Sequence, residues 1–292
     1  MECLEGGTAM AKTEIYYFTG TGNSLSVARM LATQLDGALI PIAAMDDQDE
    51  IVSEADVVGI TFPTYYADVP AIVRRFARKL VARPSAYIFG VITYGGAFGA
   101  ALNYLDRLLQ SQGHGLDAGF GVHMPQNAFH KFWENRPRAF RRSAQRARAI
   151  ATAVEKRQTG MDYTNRLLQA AISPFAKSFE RSSIRFLEQA AGTASPSGLT
   201  LEALIPLIDQ TYIASDACTG CGICAQVCPV GNISMENGRP VWHQHCENCL
   251  ACFNWCPVDA LRGSVSKNEY HYKHPEVTLQ DMIQQRSLRS GD

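Results

Sequence analysis

Eight of the nine cysteines in this 292-residue chain lie between residues 218 and 256. In this stretch the spacing C-x2-C-x2-C-x3-C-P occurs twice, and the second copy follows the first by 28 residues. A thiolate at every third position of a tight loop wraps three corners of an iron–sulfur cube, and the fourth cysteine of each run ligates the other cluster. The sequence therefore predicts two [4Fe–4S] clusters with exchanged fourth ligands.

The exchange divides the eight cysteines into two sets, one for each cluster. Cluster I is predicted to be held by Cys218, Cys221, Cys224 and Cys256. Cluster II is predicted to be held by Cys246, Cys249, Cys252 and Cys228. Zinc sites also use C-x2-C pairs, but they seldom contain a run of three such cysteines, and this run occurs twice. A disulfide framework would need an oxidising compartment and is typical of small secreted chains.

The length of 292 residues suggests about two globular domains, and the hydrophobic fraction of 46% is enough for a sizeable core. The net charge of −1 does not indicate a nucleic-acid partner or a membrane surface. No apolar run reaches membrane-spanning length, and residues 1–12 lack the pattern of a secretory signal. We therefore expect a cytoplasmic protein with a flexible extension at residues 1–12, in which Cys3 is incidental.

Short apolar runs alternate with amphipathic helical patterns between residues 13 and 124. The predicted strands cover residues 13–18, 37–43, 56–62, 86–94 and 118–124. The predicted helices cover residues 23–37, 69–81 and 98–113. Strands separated by helices imply an α/β fold with a parallel sheet and right-handed crossovers. Five such strands suit the doubly wound, flavodoxin-like order 2-1-3-4-5, which binds FMN where the strand order reverses.

The loop after the first predicted strand has the composition of a phosphate site. It turns directly into a helix without any lysine or arginine, and it consists of Thr19, Gly20, Thr21, Gly22, Asn23 and Ser24. Glycines permit the sharp turn, while hydroxyls and amide N–H groups at a helix N-terminus form a cradle for one phosphate. The loop matches neither a Walker A motif nor a dinucleotide fingerprint. The alternative is an ordinary tight strand–helix turn.

The loops after the third and fourth strands predict the site of a flat ring system. They contain Pro63, Thr64, Tyr65 and Tyr66, and then Thr93, Tyr94, Gly95 and Gly96. Aromatic side chains stack on an apolar ring, and glycines let backbone amides approach its edge. Either tyrosine alone is as typical of core packing. The prediction of FMN therefore depends on three unusual loops at the strand ends that the topology selects.

These motifs resemble those of flavodoxin–ferredoxin fusion proteins, in which a flavodoxin-like FMN domain precedes a bacterial-type domain with two [4Fe–4S] clusters. Besides the cysteines, the resemblance rests on 17–24 (YFTGTGNS), 63–66, 94–96, Met124–Asn127, Trp242 and the tail 270–278. It implies that the FMN phosphate is bound by Thr19, Thr21, Gly22, Asn23 and Ser24, and that the ring edge lies at 63–66 and 94–96. Ala128 stands where an aromatic residue is expected, which weakens the case for ring stacking by that loop.

The chain divides, on this interpretation, into an extension (1–12), an FMN domain (13–158), a helical connector (159–205) and a cluster domain with a tail (206–292). The amphipathic, basic segment 136–157 is predicted to be the last helix that covers the sheet. Its basic face predicts either a solvated surface or a docking surface for an acidic redox partner. The connector predicts either a strut between the domains or a lid over the flavin.

The predicted cofactors convert between paired and single electrons, because FMN holds one or two electrons and each cluster passes one. The first hypothesis is an electron-transfer module that exchanges electrons with redox partner proteins in anaerobic metabolism. The alternative is an FMN-dependent reductase of a small oxidised substrate, with Tyr65, Tyr94, His123 and His130 as candidate proton donors. A redox switch is a third class. The sequence contains no NAD(P)H fingerprint and no nucleic-acid-binding motif.

Overall fold

The computed structural model of the protein describes residues 12–96, 100–127, 136–162, 176–265 and 271–287. The predictions for Cys3, for His130 and for connector residues 163–175 therefore lie outside the described residues. The predicted N-terminal extension also lies outside them, except for Lys12.

Strands and helices alternate in the N-terminal part of the chain. The strands are β1 (Thr13–Tyr17), β2 (Ala38–Pro41), β3 (Ile51–Ser53), β4 (Val57–Pro63), β5 (Leu80–Ala82), β6 (Tyr87–Tyr94), β7 (Ala118–His123) and β8 (Gly160–Asp162). The helices are α1 (Asn23–Gln34), α2 (Ala71–Lys79), α3 (Ala101–Gln110) and α4 (Arg136–Glu155). One turn of 3-10 helix (Ile42–Met45) follows β2.

These strands form a six-stranded sheet in the order β2-β1-β4-β6-β7-β8, and every neighbouring pair is parallel. The prediction of an α/β fold with a mostly parallel sheet is therefore confirmed. Residues Val57–Phe62 of β4 and Tyr87–Thr93 of β6 are all buried. Parallel strands that are covered on both faces have continuous apolar runs, which is why the sequence indicated them clearly.

The five-strand prediction does not describe the whole sheet. Strand β8 pairs with β7, although the sequence analysis assigned its residues to a helical connector. It has only three residues (Gly-Met-Asp), which is too short for a strand pattern, and it is held by its neighbour: Gly160 N–H donates to Asp117 O at 2.7 Å. Strands β3 and β5, which form a separate parallel pair of three residues each, were also not predicted from the sequence.

Helices cover the sheet in two packed pairs, α1 with α4 and α2 with α3. The buried face of α4 includes Ala147, Ile150 and Val154, and α4 also contacts β7. This is the predicted position of the last helix on the sheet. The role of its basic face in docking an acidic partner stays a prediction.

The C-terminal part contains short elements around the cysteines. The helices are α5 (Ala176–Ala191), α6 (Leu201–Leu204), α7 (Ile223–Gln226), α8 (Ala251–Trp255) and α9 (Leu279–Gln284), with a 3-10 segment (Ile205–Thr211) after α6. The strands form two antiparallel pairs, β9 (Ile213–Ala214) with β12 (Leu261–Arg262) and β10 (Ile233–Glu236) with β11 (Arg239–Trp242). Among the described residues, no helix is both long and apolar enough to cross a bilayer.

Helix α5, which is the described helical part of the predicted connector, packs on this C-terminal part. Leu187 is fully buried in the same core as Tyr212 and Phe253. The Ser264 hydroxyl donates to the Ala190 carbonyl at 2.6 Å. Helix α5 is thus a structural component of the cysteine-bearing part of the chain.

The tail after residue 270 returns to the N-terminal part. The Asp281 carboxylate in α9 lies 2.5 Å from the Arg29 guanidinium in α1, and His274 N–H donates to Thr21 O at 2.9 Å. The His274 ring also packs edge-on against Phe140 in α4. The last described residues therefore close over the start of α1, where the predicted phosphate loop lies.

Candidate cofactor site and metal centres

One cavity of about 300 Å³ opens at the carboxyl ends of β1, β4 and β6. Every residue predicted to bind the cofactor contributes to its wall except Gly22: Thr19, Gly20, Thr21, Asn23, Ser24, Pro63, Thr64, Tyr65, Tyr66, Thr93, Tyr94, Gly95 and Gly96. Three loops that are far apart in sequence therefore meet in one place. The reason is the parallel sheet, in which the carboxyl ends of all strands lie on one edge.

Six further residues line the cavity and were not among the predicted site residues: Ala67, Pro125, Gln126, Asn127, Asn248 and Leu250. The segment Met124–Asn127 had been noted only for its resemblance to the fusion family. Asn248 and Leu250 flank Cys249 in the second cysteine run, so the cysteine-bearing part forms one side of the cavity. No local pattern in the sequence signals this contact, which joins residues more than 180 positions apart.

The threonines of the phosphate loop are arranged to donate hydrogen bonds into the cavity. Thr19 Oγ1 accepts from Gly22 N–H at 3.0 Å, and Thr21 Oγ1 accepts from the Asn127 side-chain amide at 2.8 Å. Each hydroxyl oxygen thus has a partner within the protein, and its proton is available for an acceptor. Helix α1 begins at Asn23 without a side-chain cap, so its first N–H groups also point to this end. The loop suits an anion.

Asn23 and Ser24 hold the loop in position. The Asn23 amide donates to Pro125 O at 2.9 Å and accepts from the Tyr272 hydroxyl at 2.6 Å. The Ser24 hydroxyl is hydrogen-bonded to the Thr93 hydroxyl at 2.7 Å. These side chains also connect the loop to β6, to the Met124–Asn127 segment and to the tail. Their predicted contact with a phosphate stays a prediction.

Gly22 faces the tail instead of the cavity. Its φ of 100° lies in the left-handed region, where a side chain is strained. A Cβ at this position would also lie 2.9 Å from the Cβ atoms of His274 and Val277. Both the backbone angle and the tail therefore require glycine.

The two tyrosines of the aromatic loop have different surroundings. The Tyr65 hydroxyl is buried against Gly20 and has no hydrogen-bond partner among the described residues. Burial raises the pKa of Tyr65 well above its usual value, so its proton is retained. A buried hydroxyl without a hydrogen-bond partner costs free energy unless a ligand supplies that partner. The Tyr65 hydroxyl belongs to a residue of the cavity wall. Tyr66 is instead hydrogen-bonded to Asn248 at 2.5 Å.

The glycine loop after β6 packs closely on one side. A Cβ on Gly95 would lie 2.8 Å from Gln126 Cα, whereas a Cβ on Gly96 would meet nothing within 4 Å. Tyr94 packs edge-on against His123 at 5.5 Å. His123 is exposed and does not line the cavity, so the structure does not bring this candidate proton donor to the site.

The structure brings the cysteines together in two places. Cys224 has Cys221, Cys218 and Cys256 as charged neighbours. Burial is the main cause that raises the pKa of Cys224 to about 11, and these neighbours contribute to the rise. A separate small cavity is lined by Cys228, Cys246, Cys249 and Cys252. The fourth cysteine of each run thus lies beside the first three cysteines of the other run.

The surroundings of the thiols fit iron–sulfur clusters. Backbone N–H groups donate to sulfur from Asn232 to Cys228 and from Asn248 to Cys246 at 3.2 Å, and from Ala260 to Cys256 at 3.3 Å. Such bonds tune cluster potentials. Burial raises the pKa of Cys249 to about 12, so its thiolate form is unfavourable here unless a bound metal stabilises it. Among the described residues, no three His, Cys, Asp or Glu side chains converge on a single metal ion.

The cluster II cysteines lie directly behind the cavity wall. A Cβ on Gly20 would overlap the carbonyl oxygen of Cys249 and lie 3.0 Å from its Cβ. Next to them, the buried Glu247 carboxylate lies 3.2 Å from the Arg75 guanidinium of α2, which also contacts Asp46 at 2.7 Å. The second cysteine run is therefore attached to the N-terminal part of the chain by close packing and by a charged contact.

Comparison with known proteins identifies the cysteine-bearing part. Residues 211–234 match the model of the 4Fe-4S binding domain. An uncharacterized ferredoxin of Methanocaldococcus jannaschii is 37% identical over 63 residues, which cover 20% of this chain and 82% of the relative. A candidate flavoprotein from Bacteroides uniformis ATCC 8492 covers 40% of this chain and 94% of its own, with 18% identity and a TM-score of 0.32. This last similarity is too low to assign a fold or a ligand. The match to the relative shows that the chain belongs, through its cysteine-bearing part, to the ferredoxin family of iron–sulfur electron-transfer proteins.

Proposed function

We propose that this protein is an electron-transfer flavo-iron–sulfur protein that carries FMN and two [4Fe–4S] clusters. The observation that carries the proposal is that Asn248 and Leu250, on either side of the cluster II residue Cys249, are part of the wall of the cavity lined by the predicted FMN loops. A flavin in this cavity would lie next to cluster II. Such a cofactor exchanges one or two electrons, whereas each cluster exchanges one.

The residues of the cavity support FMN in a specific orientation. Thr19, Thr21 and the N-terminus of α1 offer donors for the phosphate. The ring would then lie toward Tyr66, Tyr94 and the glycine loop. The free hydroxyl of Tyr65 is a further donor to the cofactor.

The exposure of the cysteines supports a direction from the surface inward. Among the cluster I cysteines, Cys221 is exposed, Cys218 and Cys256 are partly exposed and Cys224 is buried. Among the cluster II cysteines, Cys246 is partly exposed and Cys228, Cys249 and Cys252 are buried. Electron transfer between proteins requires a close approach to the surface. We therefore assign exchange with redox partner proteins to cluster I and exchange with FMN to cluster II. The proposed units are the FMN domain at 13–158, the connector at 159–205 and the cluster domain from 206, except that β8 (Gly160–Asp162) joins the sheet of the FMN domain and α5 packs in the core of the cluster domain.

The size of the cavity supports a carrier rather than a reductase. Small-molecule sites range from roughly 300 to 1,000 Å³, and this cavity, at about 300 Å³, lies at the lower limit. FMN would occupy most of the cavity that the described residues form, which favours a carrier. Among the candidate proton donors that the structure describes, Tyr65 and Tyr94 line the cavity and His123 does not.

The experiment that tests the function is anaerobic reconstitution followed by reduction. The protein is expected to bind about eight irons, an equal amount of labile sulfide and one FMN per chain. A low-potential one-electron donor protein should then reduce the FMN much faster in the complete protein than in protein that carries FMN but no clusters. Zinc without labile sulfide would contradict the cluster assignment, and equal rates would contradict electron transfer from the clusters to FMN.

The tail should contribute to FMN binding through the phosphate loop. In the variant Tyr272→Phe, the buried Asn23 side chain loses the hydrogen bond that it accepts at 2.6 Å. We expect the free energy of unfolding to fall by about 1–3 kcal/mol and the FMN dissociation constant to rise about fivefold, because one buried partner is left unsatisfied. Tyr87→Phe is the matched control, since its hydroxyl bonds to Gln158 O far from the cavity. It should lower stability without changing FMN affinity, and an equal loss of affinity in both variants would contradict a role for the tail.

A further inference from the structure

Asn248 lies where the cysteine-bearing part meets the cavity, and its backbone N–H and both ends of its side-chain amide are hydrogen-bonded. It is only 6% exposed. Its backbone N–H donates to Cys246 Sγ at 3.2 Å. Its side-chain amide accepts from the Tyr212 hydroxyl at 3.1 Å and donates to the Tyr66 hydroxyl at 2.5 Å. One residue therefore connects a cluster II sulfur, a cavity-wall tyrosine and a core tyrosine.

Tyr66 reaches this junction from the opposite side, in a constrained loop. Tyr66 and Ala67 have φ values of 53° and 62°, a left-handed conformation that non-glycine residues rarely adopt. The loop is fastened just beyond them, because the Asp68 carboxylate pairs with the Arg74 guanidinium. The Tyr66 ring also packs against the Phe186 ring of α5, with 6.4 Å between the ring centroids. The hydrogen bond to Asn248 is thus one of several contacts that hold an otherwise unfavourable backbone.

The properties of asparagine match this position. Asn248 has a φ of 50°, and asparagine tolerates the left-handed region better than most residues. Its short amide offers a donor and an acceptor at once. A carboxylate could not donate to Tyr66, and an aliphatic side chain would leave two buried hydroxyls without partners, which is costly.

We propose that Asn248 is a positioning residue that couples cluster II to the flavin cavity by holding the Cys246 sulfur and Tyr66 in a fixed relative arrangement. The inference rests on the proposed function in that it assigns FMN to the cavity and cluster II to Cys246. It predicts cross-effects. A change on the cluster side should alter FMN affinity, and a change on the cavity side should alter the potential of cluster II.

The sign of the second effect follows from the N–H···S hydrogen bond. Reduction adds negative charge to the cluster sulfurs, and donors to sulfur therefore favour the reduced state and raise the potential. Loss of the Tyr66 contact frees the Asn248 amide, which loosens the loop that presents this N–H to Cys246. The potential of cluster II should then fall.

The test compares Tyr66→Phe and Asn248→Gly with the wild-type protein. Tyr66→Phe keeps the ring and removes one hydroxyl, whereas Asn248→Gly relieves the left-handed backbone and keeps the backbone N–H. Redox titration followed by electron paramagnetic resonance should give a cluster II reduction equilibrium about fivefold less favourable in both variants, the effect expected when the Asn248 N–H no longer holds its hydrogen bond to Cys246 Sγ. For a one-electron centre this is about 40 mV. The FMN dissociation constant should rise about fivefold in both variants.

The controls separate this inference from general destabilisation and from the proposed function. Cluster I serves as the internal control, and its potential should not change. Tyr104→Phe removes a tyrosine hydroxyl in α3, where the ring contacts Arg107, and should change neither potential. An unchanged cluster II potential in Tyr66→Phe would overturn the inference even if FMN binds. Failure of the wild-type protein to bind FMN would instead overturn the proposed function, while the shift of cluster II in FMN-free protein would still test the role of Asn248.

Discussion

Replacement of Cys228 by serine is expected to abolish cluster II while cluster I remains. Cys228 lies in the first cysteine run, but it shares a cavity with Cys246, Cys249 and Cys252 of the second run. Iron content should fall from about eight to about four per chain. Because cluster II is the one behind the wall of the flavin cavity, reduction of FMN by a partner protein should slow by more than ~100-fold. Mutation of a residue that only supports a metal ligand costs up to about 100-fold, and loss of a ligand and its cluster should cost more.

The matched variant is Cys256→Ser, which removes the corresponding cysteine of the second run. Cys256 lies with the cluster I cysteines, so this variant should lose cluster I and keep the signals of cluster II. FMN in this variant should still come to equilibrium with cluster II, although exchange with a partner protein is lost. Electron paramagnetic resonance of the two variants distinguishes these outcomes. The reverse assignment, with Cys228→Ser losing cluster I, would refute the exchanged ligands.

Replacement of Gly20 by alanine is expected to separate the phosphate loop from cluster II. The new Cβ would overlap the Cys249 carbonyl oxygen and lie 2.9 Å from the Tyr65 hydroxyl. A backbone atom cannot move aside as a flexible side chain does, so the loops must part. Overpacking of this kind costs about 1–3 kcal/mol. We expect thermal unfolding at a lower temperature, weaker FMN binding and slower electron transfer from cluster II, with the iron content unchanged.

Gly115→Ala is the control for this substitution. A Cβ on Gly115 would lie 3.5 Å from Asp106 Oδ1, which is an ordinary contact, and the position is remote from the cavity. Its effect on the free energy of unfolding should stay within about 0.5 kcal/mol. If Gly20→Ala binds FMN and transfers electrons as the wild-type protein does, the packing of cluster II against the phosphate loop is not required for function.

Several features of the site follow from local sequence chemistry. The cysteine spacing predicted iron–sulfur ligation because a cluster needs thiolates at short, regular intervals. The buried strands β4 and β6 were recognisable because strands covered on both faces are continuously apolar. The loops after β1, β4 and β6 were recognisable because turns next to ligands use glycine, hydroxyl and aromatic residues. Their convergence could be inferred because parallel strands end on the same sheet edge.

Other features have no local signal. Strand β8 has three residues and exists because β7 offers an open edge, so its own pattern could not predict it. The Tyr272 hydroxyl donates a hydrogen bond to Asn23, which lies 249 positions earlier in the chain. Asn248 donates a hydrogen bond to Tyr66, which lies 182 positions earlier. The sequence did not indicate that both ends of the Asn23 amide bind other parts of the protein, and the predicted contact of Asn23 with a phosphate stays a prediction.

The sequence by itself predicted two interleaved sets of four thiolates and an α/β sheet with a loop suited to an anion, because both predictions depend on spacing within short segments. Only the tertiary structure decided which set lies next to the cavity. That outcome depends on the contacts of Gly20 with Cys249, of Tyr66 with Asn248 and of Arg75 with Glu247. Each contact joins residues that lie far apart in the chain, and steric fit and hydrogen bonding between such residues arise only when the chain has folded.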